Sequence, residues 1–378
     1  MRRKRHGVHH KTKGNPGEPD MRYIEEFRDK RIVRQLVDAI RRISSRPISI
    51  MEVCGGHTMA IRRSGIPFLL PDKINLLSGP GCPVCVTGRQ FIDHAIELSR
   101  IPGVIITTYG DLMRVPGSYS TLGKEKGEGG DIRMVYSTTE ALKIALNNPS
   151  SKVIFLAIGF ETTTPPTAVA VRQAYDQNTG NFFILSSHKV MPPAMSALIS
   201  EGIGIDGYLA PGHVSVITGS SIYDNIARQY KKGVVISGFE PVDILQSIYM
   251  LVDQIEKKQP HVAIQYKRAV HPGGNPNARK VVDEVFEPRD DWWRGLGILP
   301  GSGMGLTTKY EHLDAEKVFS IDLPKTREPS GCICGEILKG TRKPTDCVLF
   351  GKACTPADPA GSCMVSAEGS CAAYYRYN

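Results

Sequence analysis

Eight short apolar runs recur between residues 47 and 238, and this rhythm constrains the fold more than any other feature of the chain. They are PISIMEVC (47–54), KINLL (73–77), GVIITTY (103–109), IRMVYS (132–137), KVIFLAIG (152–159), NFFILSS (181–187), DGYLA (206–210) and GVVISG (233–238). Each is too short for a buried helix, and most are rich in β-branched residues. Amphipathic stretches such as TAVAVRQAY, PPAMSALIS and PVDILQSIYMLVDQI lie between or after them. Strand, loop, helix, strand is the pattern of βαβ units, so the expected class is α/β with mostly parallel sheets. A further helix is expected over residues 22–44, with Ile32, Leu36, Ala39, Ile40 and Ile43 on one face. Gly159-Phe160-Glu161 and Gly238-Phe239-Glu240 each follow an apolar run and precede a helix, a faint echo of two related halves.

With 378 residues the chain is too long for one ordinary core, which suggests two or three domains. Past about residue 270 the texture changes. NPNARKVVDEVFE reads as one helix, and the glycines of ILPGSGMGL are expected to break regular structure. The strongest apolar run, residues 153–160, is far shorter than a membrane span. The first 20 residues lack the apolar segment of a secretory signal, so a cytoplasmic location is expected. The net charge of +9 is concentrated at the start, where six Lys or Arg fall within 13 residues before any acid. The rest of the chain carries roughly +3, which reads as a solvated, disordered basic tail at residues 1–20 and argues against a nucleic-acid interface.

The nine cysteines fall into two groups, and thiols in a cytoplasmic chain point to metal or redox chemistry. The last 47 residues hold Cys332, Cys334, Cys347, Cys354, Cys363 and Cys371, in a stretch with few apolar residues that needs a metal or cross-links to hold it. No close C-x(2–4)-C knuckle of a zinc site is present there. Four thiolates on loops can cradle a [4Fe–4S] cube, but spacing alone does not choose four of the six, nor exclude zinc or disulfides. The second group is Cys54 in EVCGGHT and Cys82 and Cys85 in GPGCPVC, each just past an expected strand. Ligand sites of open α/β sheets gather at those carboxyl ends. Three thiols without a fourth leave an open coordination position, which suits transient binding. The alternative is two buried structural cysteines with His57 as a capping residue.

Glu161 in IGFETTTPP follows a strand and opens a helix for which Thr162, Thr163 and Thr164 are cap candidates. A carboxylate there can face a cleft or simply belong to a well-capped helix. No Gly-Lys-Ser/Thr follows, so it is not a phosphate-binding loop of the Walker type. His57, His188 and His213 each lie just past an expected strand and could converge on one crevice.

Taken together, MEVCGGHTMAI, LLSGPGCPVCVT, IGFETTTP, APGHVS, CGEILKG and the segment from DCVLFGKACTP to CMVSAEGSCAAYY resemble the HypD family of [NiFe]-hydrogenase maturation proteins. The resemblance runs in order from about residue 22 to the C-terminus, without departure at a cysteine. It implies two Rossmann-like parallel-sheet domains, at residues 21–145 and 146–270, and a small iron–sulfur domain at 271–378. It implies a scaffold that works with HypC and HypE to assemble the Fe(CN)2CO group delivered to the hydrogenase large subunit. Cys332, Cys347, Cys354 and Cys371 would hold a [4Fe–4S] cluster, and Cys334 and Cys363 would form a redox-active pair. Cys54 would hold the iron being assembled, with Cys82 and Cys85 as a second thiol pair and His57 and Glu161 in support. A free-standing iron–sulfur protein-disulfide reductase is the competing expectation.

Overall fold

The computed structural model describes residues 25–323 and 325–378. The basic tail at residues 1–20 and the first turn of the expected helix at 22–44 lie outside the described residues. From residue 25 that segment is a short 3-10 turn, Glu25–Arg28, followed by a helix, Lys30–Ile43, whose N-cap Asp29 accepts the Arg31 N–H.

The eight apolar runs all form strands, close to their expected bounds. In chain order they are β1 (Ile48–Glu52), β2 (Ile74–Ser78), β3 (Val104–Thr108), β4 (Asp131–Met134), β5 (Lys152–Gly159), β6 (Phe182–His188), β7 (Gly207–Pro211) and β8 (Gly233–Ser237). A ninth short strand, β9 (Val262–Ile264), follows. They build two parallel sheets, one ordered β2-β1-β7-β8-β9 and the other β4-β3-β5-β6. Burial explains why the runs are continuous rather than alternating. Every residue of β3, β6, β7 and β8 is buried, as helices cover both faces of a parallel sheet.

Both sheets place their second strand outside the first and their third on the other side. That is the doubly wound order, with a switch point between first and third strands. Sheet membership crosses residue 145: β3 and β4 pair with β5 and β6, whereas β1 and β2 join β7 to β9. The second sheet is therefore inserted between β2 and β7 of the first. The Gly-Phe-Glu echo does not mark equivalent positions, because β5 is the third strand of its sheet and β8 the fourth of the other.

ILPGSGMGL overturns its expectation. It lies in β11 (Gly297–Leu306), paired antiparallel with β10 (Phe286–Trp293), and the helix before them ends at Val285. The glycines serve close approach: a Cβ on Gly303 would fall 2.5 Å from Asp291 Cβ. Beneath the hairpin the buried Lys189 ammonium donates to Asp291 Oδ2 at 2.6 Å and to the Trp292 carbonyl at 2.8 Å. One continuous buried cluster contains Met51, Cys85, Ile106, Leu156, Trp293 and Cys363, so both sheets, the hairpin and the C-terminal segment share a core. Among the described residues no helix is long and apolar enough to cross a membrane.

Candidate thiol site

Cys54 stands just beyond the carboxyl end of β1, at the switch point between β1 and β7. It is the N-cap residue of the helix Gly55–Arg63. The GPGCPVC loop folds directly onto it. Gly79 N–H donates to the Glu52 carbonyl at 2.8 Å and Gly55 N–H to the Gly81 carbonyl at 3.0 Å. A Cβ on Gly81 would fall 2.1 Å from the Cys54 nitrogen, so only glycine permits this approach. Cys82 then caps a one-turn helix, Pro83–Val86, its Sγ accepting the Cys85 N–H at 3.3 Å.

All three thiols are buried. Burial pushes the Cys54 thiol well above its usual range, with the Glu368 and Glu52 carboxyls adding to it, while the N–H groups of His57 and Gly56 pull the other way. Cys85 is raised by burial first and then by Cys82. Below Cys54, the buried Glu52 accepts from Cys54 N–H at 3.2 Å and from Thr58 Oγ at 2.6 Å, and burial pushes its carboxyl up to about 8.

Of the three expected histidines, two come together. His57 donates from Nε2 to the Gly238 carbonyl at 2.9 Å and stacks on Phe239 with ring centroids 4.6 Å apart. His213 meets the same Phe239 at 5.2 Å. Burial lowers His57 to about 4, so the ring is neutral at pH 7, and its Nδ1 has no partner among the described residues. His188 goes elsewhere. It lies at the end of β6 in the other sheet, bonded to Thr167 Oγ at 3.0 Å and edge-on to Phe286.

Glu161 occupies the switch point of the second sheet, beyond β5. Its Oε1 accepts the Met191 N–H at 2.9 Å, and Oε2 has no partner among the described residues. Burial raises this carboxyl to about 7. It lines a cavity of about 380 Å³ with Thr164, Pro192, Ile217 and Met304, a wall that contains no cysteine. The neighbouring threonines are not acceptors for the helix start. Thr163 and Thr164 instead donate their hydroxyls back to the Phe160 carbonyl, at 3.0 and 3.1 Å.

The C-terminal cysteines sort themselves. Cys334 and Cys363 form a disulfide, and Cys332, Cys347, Cys354 and Cys371 remain free. The free four lie within one another's fields: burial and then Cys347 and Cys354 raise Cys332, while burial and then Cys354, Cys332 and Cys347 raise Cys371. Among the described residues no group of three or more His, Cys, Asp or Glu is drawn close enough to hold a metal ion. This segment abuts the first thiols. Ser362, next to Cys363, donates to the Cys85 carbonyl at 3.1 Å, and buried Arg294 donates to the same oxygen at 3.1 Å. The helix Ser370–Tyr377, which carries Cys371, locks onto the helix after Cys54, where the Arg62 guanidinium lies 3.7 Å over the Tyr374 ring.

A family model described as "HypD: Hydrogenase formation hypA family" matches residues 31–378. The chain belongs to the HypD family. It is 48% identical to the hydrogenase maturation factor HypD2 of Bradyrhizobium diazoefficiens, over 94% of this chain and 97% of that protein. It is 46% identical to the hydrogenase maturation factor HypD of Azotobacter vinelandii, with the same coverage. The factor of that name from Rhodobacter capsulatus is 42% identical, over 94% of this chain and 98% of that protein.

In this HypD-family chain, residues not singled out from the sequence also reach the thiols. Glu368 packs against Gly55, where an added Cβ would fall 2.6 Å from Glu368 Cβ, and its charge acts on both Cys54 and Cys85. Its place just before Cys371 in SAEGSC was a usable signal. Arg294 had none, because it sits in the hairpin turn more than 200 residues from Cys85.

Proposed function

We propose that this hydrogenase maturation factor is the scaffold on which, together with HypC, the Fe(CN)2CO group is assembled, with Cys54 as its thiolate ligand. Low-spin iron carrying cyanide and CO is soft, and thiolate ligation suits it. Cyanide would arrive through HypE, and the finished group would pass to the hydrogenase large subunit. Burial keeps the Cys54 thiol protonated when no metal is bound, so iron capture would release a proton. The N–H groups of Gly56 and His57 would then face the thiolate. His57, neutral and fixed by Gly238, offers an unprotonated Nδ1 within the same site.

Cys332, Cys347, Cys354 and Cys371 would hold a [4Fe–4S] cluster. What supports this set is that the four are the free thiols of the segment, while the two remaining cysteines are consumed by their own disulfide. Such a cluster, when bound, supplies one-electron transfer. Opening Cys334–Cys363 to a dithiol would take two electrons from an external one-electron donor, in two successive transfers, and two protons from solvent. The dithiol can in turn reduce an oxidised Cys82–Cys85 pair by exchange, through a mixed disulfide.

The observation that carries this reading is the seam where Ser362 bonds the Cys85 carbonyl, because it sets the C-terminal disulfide beside the loop that wraps Cys54. The test is infrared spectroscopy of the protein purified anaerobically with HypC. Stretching bands of iron-bound CN and CO should appear and should vanish in Cys54→Ala. Bands that survive that substitution would remove Cys54 from the role. Thiol redox activity with no such bands would favour the protein-disulfide reductase.

A further inference from the structure

We propose that a pocket at the amino-terminal edge of the first sheet binds a small oxyanion, with a phosphate group as its recognised element. The pocket has a volume of about 300 Å³ and is lined by Arg46, Asp206, Lys231, Lys232, Gln254 and Lys258, among others. It forms where strands begin: Asp206 immediately precedes β7, Gly233 opens β8, and Pro260 comes shortly before β9. Cys54 lies past the opposite end of β1. A five-residue strand separates the two edges by about 16 Å. The pocket is therefore distinct from the thiol site, and its assignment does not depend on the maturation reading.

Its cationic side chains outnumber its one lining carboxylate, Asp206. The acids nearby are already engaged. Asp206 accepts the Ser49 N–H on Oδ2 at 2.9 Å and the Arg46 guanidinium on Oδ1 at 3.3 Å. Glu256 accepts the Ser45 N–H at 2.7 Å and its hydroxyl at 2.6 Å. Lys231, Lys232 and Lys258 have no ion-pair partner among the described residues.

The decisive group is Gln254. It is only 4% exposed, and its Oε1 accepts the His261 N–H at 3.2 Å, which fixes Nε2 as the free end. That nitrogen has no partner among the described residues. A buried amide N–H without an acceptor is costly, and the pocket that Gln254 lines is lined as well by Lys231, Lys232 and Lys258.

The lysines are not explained as caps of the helix Pro241–Glu256, which ends here. Its last carbonyls are met by backbone: Lys257 N–H donates to Asp253 O at 3.0 Å, Lys258 N–H to Ile255 O at 3.2 Å, and Gln259 N–H to Gln254 O at 2.9 Å. The partial negative charge of a helix end, about half a unit, is outweighed by three ammonium groups. An oxyanion supplies what the pocket lacks, several acceptor lone pairs carrying negative charge. The volume exceeds that of phosphate itself and leaves room for the body of a small phosphorylated molecule.

The test is calorimetric titration of the full-length protein with inorganic phosphate at low ionic strength, with chloride as the control. Saturable one-to-one binding is expected for phosphate and none for chloride. Gln254→Glu keeps the acceptor for His261 but sets a negative oxygen where Nε2 stands, and it should weaken phosphate binding at least about tenfold. The paired exchange Lys231→Met with Lys258→Met should do the same, while Lys231→Arg with Lys258→Arg should retain binding. Because these lysines are on the surface, their exchange leaves the fold testable by its unchanged melting temperature. Phosphate heats equal to those of chloride, or an unchanged affinity in both weakened variants, would overturn the assignment.

Discussion

Single side chains in this chain are tuned chiefly by burial, and Glu161 gives the cleanest case. Its carboxyl is raised from 4.5 to about 7, so the folded protein holds that proton more tightly than the unfolded chain. A raised acid contributes most stability below its unfolded value, and the contribution is lost as pH rises through the folded value. The Glu161 contribution, read by thermal denaturation as the difference between wild type and a Glu161 variant, should therefore fall between about pH 5 and about pH 8. Glu161→Gln keeps an acceptor for the Met191 N–H. It should flatten that slope and raise stability at the alkaline end by on the order of 1–3 kcal/mol. A wild-type slope unaltered in the variant would show that the carboxyl titrates normally. His57 runs in the opposite sense as a base: burial lowers it from 6.5 to about 4, so the unfolded chain binds a proton that the folded ring does not, and its contribution to stability rises with pH up to about pH 7, against the Glu161 slope.

At the scale of elements, two loops and a turn decide the geometry of the thiols. Gly81 lies against the backbone at Cys54, so Gly81→Ala has backbone, not a flexible side chain, in its way. The loop would have to retreat, lowering stability by about 2–3 kcal/mol and separating Cys82 from Cys54. A melting temperature within a degree of wild type would show that the loop has room to spare. The C-terminal turns make a second prediction. Seven cysteines are free and two are bonded, so thiol titration of the unfolded, metal-stripped protein should count seven without reductant and nine after reduction. The hairpin β10–β11 belongs at this scale too. It brings Arg294 to the Cys85 carbonyl and holds Asp291 over Lys189, work that its glycine-rich sequence conceals.

For the whole molecule, the C-terminal segment is a structural part of the core and not an appendage. Tyr374 is buried, hydrogen-bonded to Arg62 and covered by its guanidinium. Tyr374→Ala should cost about 3 kcal/mol. Because one cluster joins both sheets to this segment, melting should remain a single transition in which the Cys54 helix and the C-terminal helix lose structure together. Two separated transitions by calorimetry would show that the segment unfolds independently.

The sequence by itself determined the class of the fold, because a parallel strand covered by helices is a short apolar run, and all eight runs formed parallel strands. It also singled out the cysteines proposed to carry chemistry, since glycine-flanked thiols at strand ends have few structural uses. Order along the chain could not reveal that the second sheet is inserted into the first, because strand pairing is a non-local choice and every run looks equally buried. For the same reason, the parting of His188 from His57 and His213 and the separate cavity of Glu161 were decided only in three dimensions, whereas the pairing of Cys334 with Cys363 was implied by the family resemblance though not by spacing. Glycine misled at β11, where its value is close approach between strands and not a break in them. What the tertiary structure added was contact between distant segments: it brought Ser362 and Arg294 to Cys85, and so set the C-terminal disulfide segment beside the loop of Cys82 and Cys85.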